Sequence, residues 1–134
     1  MGTNLELVQR GFQLLHPLLA GYVCQELNRE YGAMWWQEVL RTLNDQVQDL
    51  PDDGDYATLV DSLDIANCLR LFDRKWNEIF RKKLSIDYRT WSKELMGVRN
   101  KVAHIGLQDF SDNDTWRALD TMARLCEPID AEAA

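Results

Sequence analysis

Cysteine is scarce in this 134-residue chain, limited to Cys24, Cys68 and Cys126. The three are widely separated, odd in number and set within apolar helical patterns. That argues against a disulfide framework or a zinc site and for buried, reduced thiols. Histidine is scarcer still, with only His16 and His104, and neither has a clustered ligand set around it. No metal and no cofactor is expected. A glycine-rich phosphate loop is missing too. The most apolar run, LLHPLLAGYV, is interrupted by His16-Pro17 and falls far short of the roughly 20 residues a membrane span requires. Nothing resembles a signal peptide, so a soluble, cytoplasmic protein with no membrane partner is expected. Sustained alternation of apolar and polar residues, the mark of a half-buried strand, is absent as well.

What the chain does have is apolar surface at helical spacing. Hydrophobic residues make up 46% and five are tryptophan, enough for one core, and residues 1–134 are expected to form a single domain. Leu5, Val8, Phe12, Leu15, Leu19 and Tyr22 step by threes and fours, with Pro17 predicting a kink or a break into two helices. His16, beside it, reads as a structural helix-break residue. A second helix carries Trp36, Val39, Leu43, Val47 and Leu50, stopped by Pro51. The acids of the following loop, DLPDDGDY, lack calcium-loop spacing and read as a solvated linker. A third helix carries Ile65, Leu69, Phe72, Trp76 and Ile79, with Asp61 or Asp64 as N-cap. The fourth carries Trp91, Leu95, Val98, Val102 and Ile105 and stops at Gly106. Ser111-Asp112-Asn113-Asp114 caps a fifth, with Trp116, Leu119, Ala123 and Cys126 inward and Pro128 just beyond. The expected fold is all-α, a small up-and-down bundle of about five helices with sequential helices antiparallel. Residues 1–60 supply the N-terminal helices and 61–127 the remainder. Trp76, Trp91 and Trp116 are assigned to the core. Adjacent Trp35 and Trp36 are expected to split, one marking a partner surface.

Net charge is −7, but it is unevenly spread. Between Arg70 and Lys101 ten basic residues face four acids, a net +6 that leaves −13 for the rest. A positive segment in an acidic chain suits a phosphate-binding surface. Alternatively, Arg81, Lys82 and Lys83 simply favour a helix C-terminus.

The segment VRNKVAH, Val98 to His104, closes this basic stretch. At 100° per residue from Trp91, Asn100 falls near 180° and His104 near 220°, opposite the predicted core stripe. Arg99 lies on the flank, near 80°. The surrounding back of the helix holds Met96, Gly97 and Ala103, small or adaptable residues that suit contact with another helix. An arginine, an asparagine and a histidine gathered in the last turns can be an incidental solvated surface or half of an active site.

An arginine followed by a polar residue, with a histidine four to six positions on near the end of a bundle helix, resembles the HEPN superfamily (higher eukaryotes and prokaryotes nucleotide-binding). Here the match is Arg99, Asn100 and His104. LRLFDRKWNEIF before the motif, KELMGVRNKVAH across it and WRALDTMARL after it extend the likeness. Together they resemble the subgroup named after a yeast RNA-surveillance endonuclease. Bacterial domains of that subgroup commonly stand at the N-terminus of large ATPases or helicases linked to phage defence.

The resemblance implies a HEPN-like bundle that forms a homodimer through its motif helices, with Met96, Gly97 and Ala103 at the interface. It also implies a metal-independent endoribonuclease. His104 would move protons to and from ribose and leaving oxygens. Arg99 would stabilise a phosphorane, and Asn100 would orient the imidazole or bind phosphate. Lys93 and Lys101 would position the RNA backbone. A non-catalytic dimerisation or sensing module ahead of ATPase or helicase domains in a longer chain is the other class of function. The final EPIDAEAA reads like the start of an interdomain linker to such domains. Nucleotide or small-phosphate sensing in the same cleft is a third reading.

Overall fold

A computed structural model describes residues 3–45, 50–104 and 109–133, with 128–133 described by backbone alone. The described residues contain helices and no strand, the all-α class expected. The elements are α1 (Asn4–Tyr31), a 3-10 turn (Gly32–Met34), α2 (Trp35–Thr42), α3 (Tyr56–Ser62), α4 (Ile65–Arg74), a second 3-10 turn (Phe80–Lys82), α5 (Ile86–His104) and α6 (Asp112–Ala133). No described helix is long and apolar enough to cross a membrane.

Four helices form a closed ring: α1 packs on α4 and α6, and α5 packs on the same two. Their directions follow from which ends meet. Asp73 pairs with Arg89 while Asp64 pairs with Arg99, so α4 and α5 are antiparallel. Lys101 pairs with Asp114 while Glu94 pairs with Arg117, so α5 and α6 are antiparallel too, as expected for sequential helices. On α1, Asn4 donates to the Phe110 carbonyl at 2.9 Å, and Leu18 shares a groove with Cys126. Hence α1 and α6 run parallel. The core between them is built on Val8, Phe12, Leu15 and Leu19 of α1, Leu69 and Phe72 of α4, Leu95 of α5 and Leu125 of α6.

Pro17 does not break α1. The helix runs through it, because Leu15, Leu19 and Ala20 are buried on either side and only one backbone N–H is lost. Polar contacts fix this turn: Tyr56 Oη donates to the Pro17 carbonyl at 2.9 Å, and His16 Nε2 donates to the Leu63 carbonyl at 2.7 Å. His16 is thus structural, but as a tether to the α3–α4 junction rather than a helix break. Gly32 ends α1 at φ +57°, a left-handed conformation that glycine adopts without strain.

Other boundaries shift. The second predicted helix is shorter, ending at Thr42; Trp36, Val39 and Leu43 are buried, whereas Val47 lies outside the described residues and Leu50 is not helical. Helix α3, which begins at the last residue of what reads as linker and was not expected, is capped by Asp55, whose carboxylate accepts from the Thr58 N–H. Asp64 caps α4 as expected, accepting from Asn67. That helix stops at Arg74, so Trp76 and Ile79 reach the core from the turns beyond it.

Trp35 and Trp36 do not split. Both are buried and meet edge to face at 5.6 Å. Neighbours on a helix diverge by about 100°, and the 50–54 loop closes over the second of them. Trp36 Nε1 donates to the Pro51 carbonyl at 2.8 Å, and a Cβ at Gly54 would stand 2.8 Å from the indole.

On α6, Ser111 caps the start by accepting from Asp114 N–H, but the inward face is rotated from the one expected. Thr115, Ala118, Met122 and Leu125 are buried, while Trp116 is 69% exposed. Thr115 and Thr121 can turn inward because their hydroxyls donate back to the Ser111 and Arg117 carbonyls. The helix also continues past Pro128 to Ala133. Cys24 and Cys68 are buried, Cys126 is half-buried, and no disulfide joins them. Burial pushes the Cys68 thiol up to about 12.

Candidate active site

Helix α5 starts after Ser85 and keeps helical geometry through His104; Ile105 and Gly106 lie outside the described residues. Its inward side is Ser92 and Leu95, flanked by half-buried Met96, Val98, Arg99 and Val102. Lys93, Gly97, Asn100, Lys101, Ala103 and His104 are exposed. The expectation that Asn100 and His104 point away from the core therefore matches their exposure. Trp91 is half-buried, its ring under the Arg124 guanidinium at 5.8 Å.

The exposed side divides into three lanes. Toward α1 and α4, Arg99, Val102 and Ala103 line an open cleft of about 410 Å³ with Gln9, Phe12 and Ile65. Arg99 Nη2 stands 3.5 Å from Asp64 Oδ2, the same aspartate that caps α4. Such a surface pair is weak and leaves most of the guanidinium's donors available. Toward α6, Lys101 Nζ is 3.4 Å from Asp114 and lies over the Phe110 ring at 4.8 Å.

Between these lanes lie Asn100 and His104, about 40° apart around the axis and about 6 Å along it. No hydrogen bond or ion pair joins either side chain to another described residue. Arg99 and His104, by contrast, are about 140° apart around the helix. One protomer thus brings Asn100 and His104 together but holds Arg99 on another side. Of the residues expected at an interface, Gly97 has nothing within 4 Å of where a Cβ would be, and Ala103 is exposed. Met96 is half-buried against the core cluster.

The basic segment does not form one positive face. Lys75 is 2% exposed and turned inward to Glu38 and Glu78. Lys82 and Lys83 reach the α1 acids Glu30 and Glu26. Arg74 makes a two-pronged contact with Asp45. Lys93 faces a different cleft, of about 280 Å³, between α4 and α5. Arg70 lines that cleft as well and was not singled out from sequence. The available signal was its position one turn before Arg74 on the helix that packs against α5.

A family model described as Swt1-like HEPN matches residues 10–130. Comparison with curated proteins gives no match. Comparison with solved structures gives none either.

Proposed function

The chain belongs to the Swt1-like HEPN family, and on that premise we propose that it is an RNA-binding domain and a metal-independent endoribonuclease. Its active site would be composite, built where two copies meet along α5. The observation that carries this reading is that the Arg99–Asn100–His104 motif is intact on α5, with Asn100 and His104 exposed and uncommitted to other described side chains.

The chemistry divides among the three residues. The His104 imidazole takes the proton from a ribose 2′-hydroxyl as its oxygen attacks the adjacent phosphorus. The P–O5′ bond breaks, leaving a 2′,3′-cyclic phosphate and a 5′-hydroxyl whose proton comes from an imidazolium. Arg99 supplies a planar, permanently charged fork to the phosphorane oxygens. Asn100, one turn from His104, orients the ring. Because Arg99 and His104 diverge by about 140° on one helix, the pairing that cleavage needs is between Arg99 of one protomer and His104 of its partner. Gly97 and Ala103 give the two helices room to approach, with Met96 at the margin, while Lys93, two to three turns before the motif on its own lane, and Lys101, on the α6 side, position the RNA backbone. In a longer chain the domain would precede ATPase or helicase domains of a phage-defence protein.

A dimerisation or sensing module without catalysis is the second reading, favoured by the ion pairs that occupy Arg99 and Lys101. Cleavage of a fluorescent single-stranded RNA in EDTA, comparing the unmodified chain with His104→Ala, separates the two. The nuclease reading expects cutting by the former and a loss of about 10²–10⁴ in rate for the latter, with both remaining folded dimers by sedimentation. Absence of cutting by the unmodified dimer rejects catalysis and leaves the module.

A further inference from the structure

Most cations between Arg70 and Lys101 are committed. Arg74 holds the Thr42 carbonyl at 2.8 Å as well as Asp45, and Arg89 holds Asp73 at 2.9 Å. Arg70 and Lys93 differ. Both line the α4–α5 cleft, whose floor is Leu69, Ser92 and Met96. Arg70 meets the side-chain oxygen of Asn67 and has no ion pair with another described residue. Lys93, with its side chain 60% exposed, stands 3.9 Å from an Asp73 oxygen that Arg89 already engages more closely. Among the described residues, Arg70, Arg74, Arg89 and Lys93 outnumber Asp73 and Asp45 around this cleft, a surplus of two positive charges.

Position along α5 ties the cleft to the motif. Asn100 and His104 follow Lys93 by seven and eleven residues, which keeps all three within about 20° of one lane and spaces them about 10.5 and 16.5 Å along the axis. We propose that the α4–α5 cleft is a phosphate subsite of the RNA track, in which Arg70 and Lys93 grip a backbone phosphate a few nucleotides from the bond at His104. The idea takes its substrate from the nuclease reading, but it concerns binding and can be measured without cleavage. Arg70 offers a two-pronged donor to phosphate oxygens. Lys93 exchanges a long, shared contact with Asp73 for a full charge pair.

The test is binding of a fluorescent 2′-O-methyl single strand, which lacks the attacking hydroxyl, from about 50 to 200 mM salt. Each phosphate contact on a single strand contributes about 0.7 to the slope of log affinity against log salt. Arg70→Gln with Lys93→Gln removes the grip on one phosphate and should therefore lower the slope by about 0.7, so that the fourfold rise in salt costs the variant about 2.6-fold less affinity than it costs the unmodified chain. Arg81→Gln with Lys82→Gln removes equal charge outside the cleft and should leave the slope unchanged. Circular dichroism confirms that both doubles fold.

An unchanged slope in the cleft variant, or an equal drop in the control, overturns the subsite even if His104-dependent cleavage is intact. A selective drop without any cleavage keeps the subsite and rejects the nuclease. A mononucleotide carries the same phosphate; if AMP displaces the strand at concentrations at which the strand itself binds, the cleft is a nucleotide site and the track is wrong.

Discussion

Two polar clusters of this bundle differ in how completely their groups are satisfied. Where α1, α2 and α4 meet, Lys75 Nζ donates to Glu38 at 2.8 Å, Tyr31 at 3.0 Å and Glu78 at 3.2 Å, all three of its donors engaged. Tyr31 in turn donates to Glu78, and Arg41 adds a second cation to Glu38. At the outer end of α5, Asn100 and His104 stand exposed with no such partners among the described residues. A buried charge has to be saturated because an unmet one costs several kcal/mol. An exposed histidine is satisfied by water, and its partners can arrive later. The closed cluster therefore reads as architecture and the open one as a place to bind.

The comparison breaks most visibly at Lys75. Lys75→Met keeps the length of the side chain but removes the cation shared by Glu38, Glu78 and the Tyr31 hydroxyl, leaving Glu38 to Arg41 and Glu78 to Tyr31. Its expected cost is about 2–3 kcal/mol, under the 3–5 typical of a fully buried pair because Glu78 is half-exposed and rehydrates. His104→Ala, by contrast, should change stability by no more than about 0.5 kcal/mol. Urea unfolding of the two variants checks both. A Lys75 variant as stable as the unmodified chain would remove the distinction.

Acid sharpens the same contrast at smaller amplitude. Hydrogen bonds from Arg41 and then Lys75 hold the Glu38 carboxyl down at about 2, against an ordinary 4.5. A carboxylate depressed in the folded state contributes stability that is fully present above its unfolded pKa and is lost as pH falls through the folded one. The window therefore runs from about pH 4.5 down to about 2. Glu38→Gln removes the titration, so its urea midpoint should start lower at neutral pH and decline less steeply across that window. A decline as steep as in the unmodified chain would place the acid-sensitive group elsewhere.

What the sequence makes legible follows the same division. Stripes at helical spacing identified five of the six α-helices among the described residues, because a long helix must bury one face and that face repeats. The caps were legible as candidates, Asp61 or Asp64 for one helix and the run Ser111–Asp114 for another, because short polar side chains there have few other local uses; Asp64 and Ser111 are the ones that cap. Helix α3 did not, since Tyr56–Ser62 is too short for a stripe and its Asp55 cap sits among acids that read as linker. Trp116 misled because a tryptophan at helical spacing counts as core, whereas the threonines that replace it there satisfy their hydroxyls on the helix itself. At the site, exposure of Asn100 and His104 was legible from one helix alone. The pairing of Arg99 with Asp64, of Lys101 with Asp114 and the placing of Arg70 opposite Lys93 were not, because each depends on which helix comes alongside α5.

Gly97 carries the smallest effect and the most pointed one, since two consequences of a single methyl group run in opposite directions. It sits inside α5, fully helical, with nothing within 4 Å of where a Cβ would be. Glycine there costs roughly 0.5–1 kcal/mol relative to alanine through the freedom it has when unfolded. In an isolated protomer Gly97→Ala should therefore raise stability by about that much. If two copies meet along the α5 back, the same methyl group stands where the helices approach, and it must push them apart. Sedimentation should then show a weaker dimer, and Gly97→Leu a weaker one still, while unfolding of the dilute protomer shows Gly97→Ala more stable than the parent. Equal dimer affinity for all three chains would mean that the two copies do not meet at Gly97. The Arg99 of one protomer and the His104 of its partner would then need some other surface to bring them together.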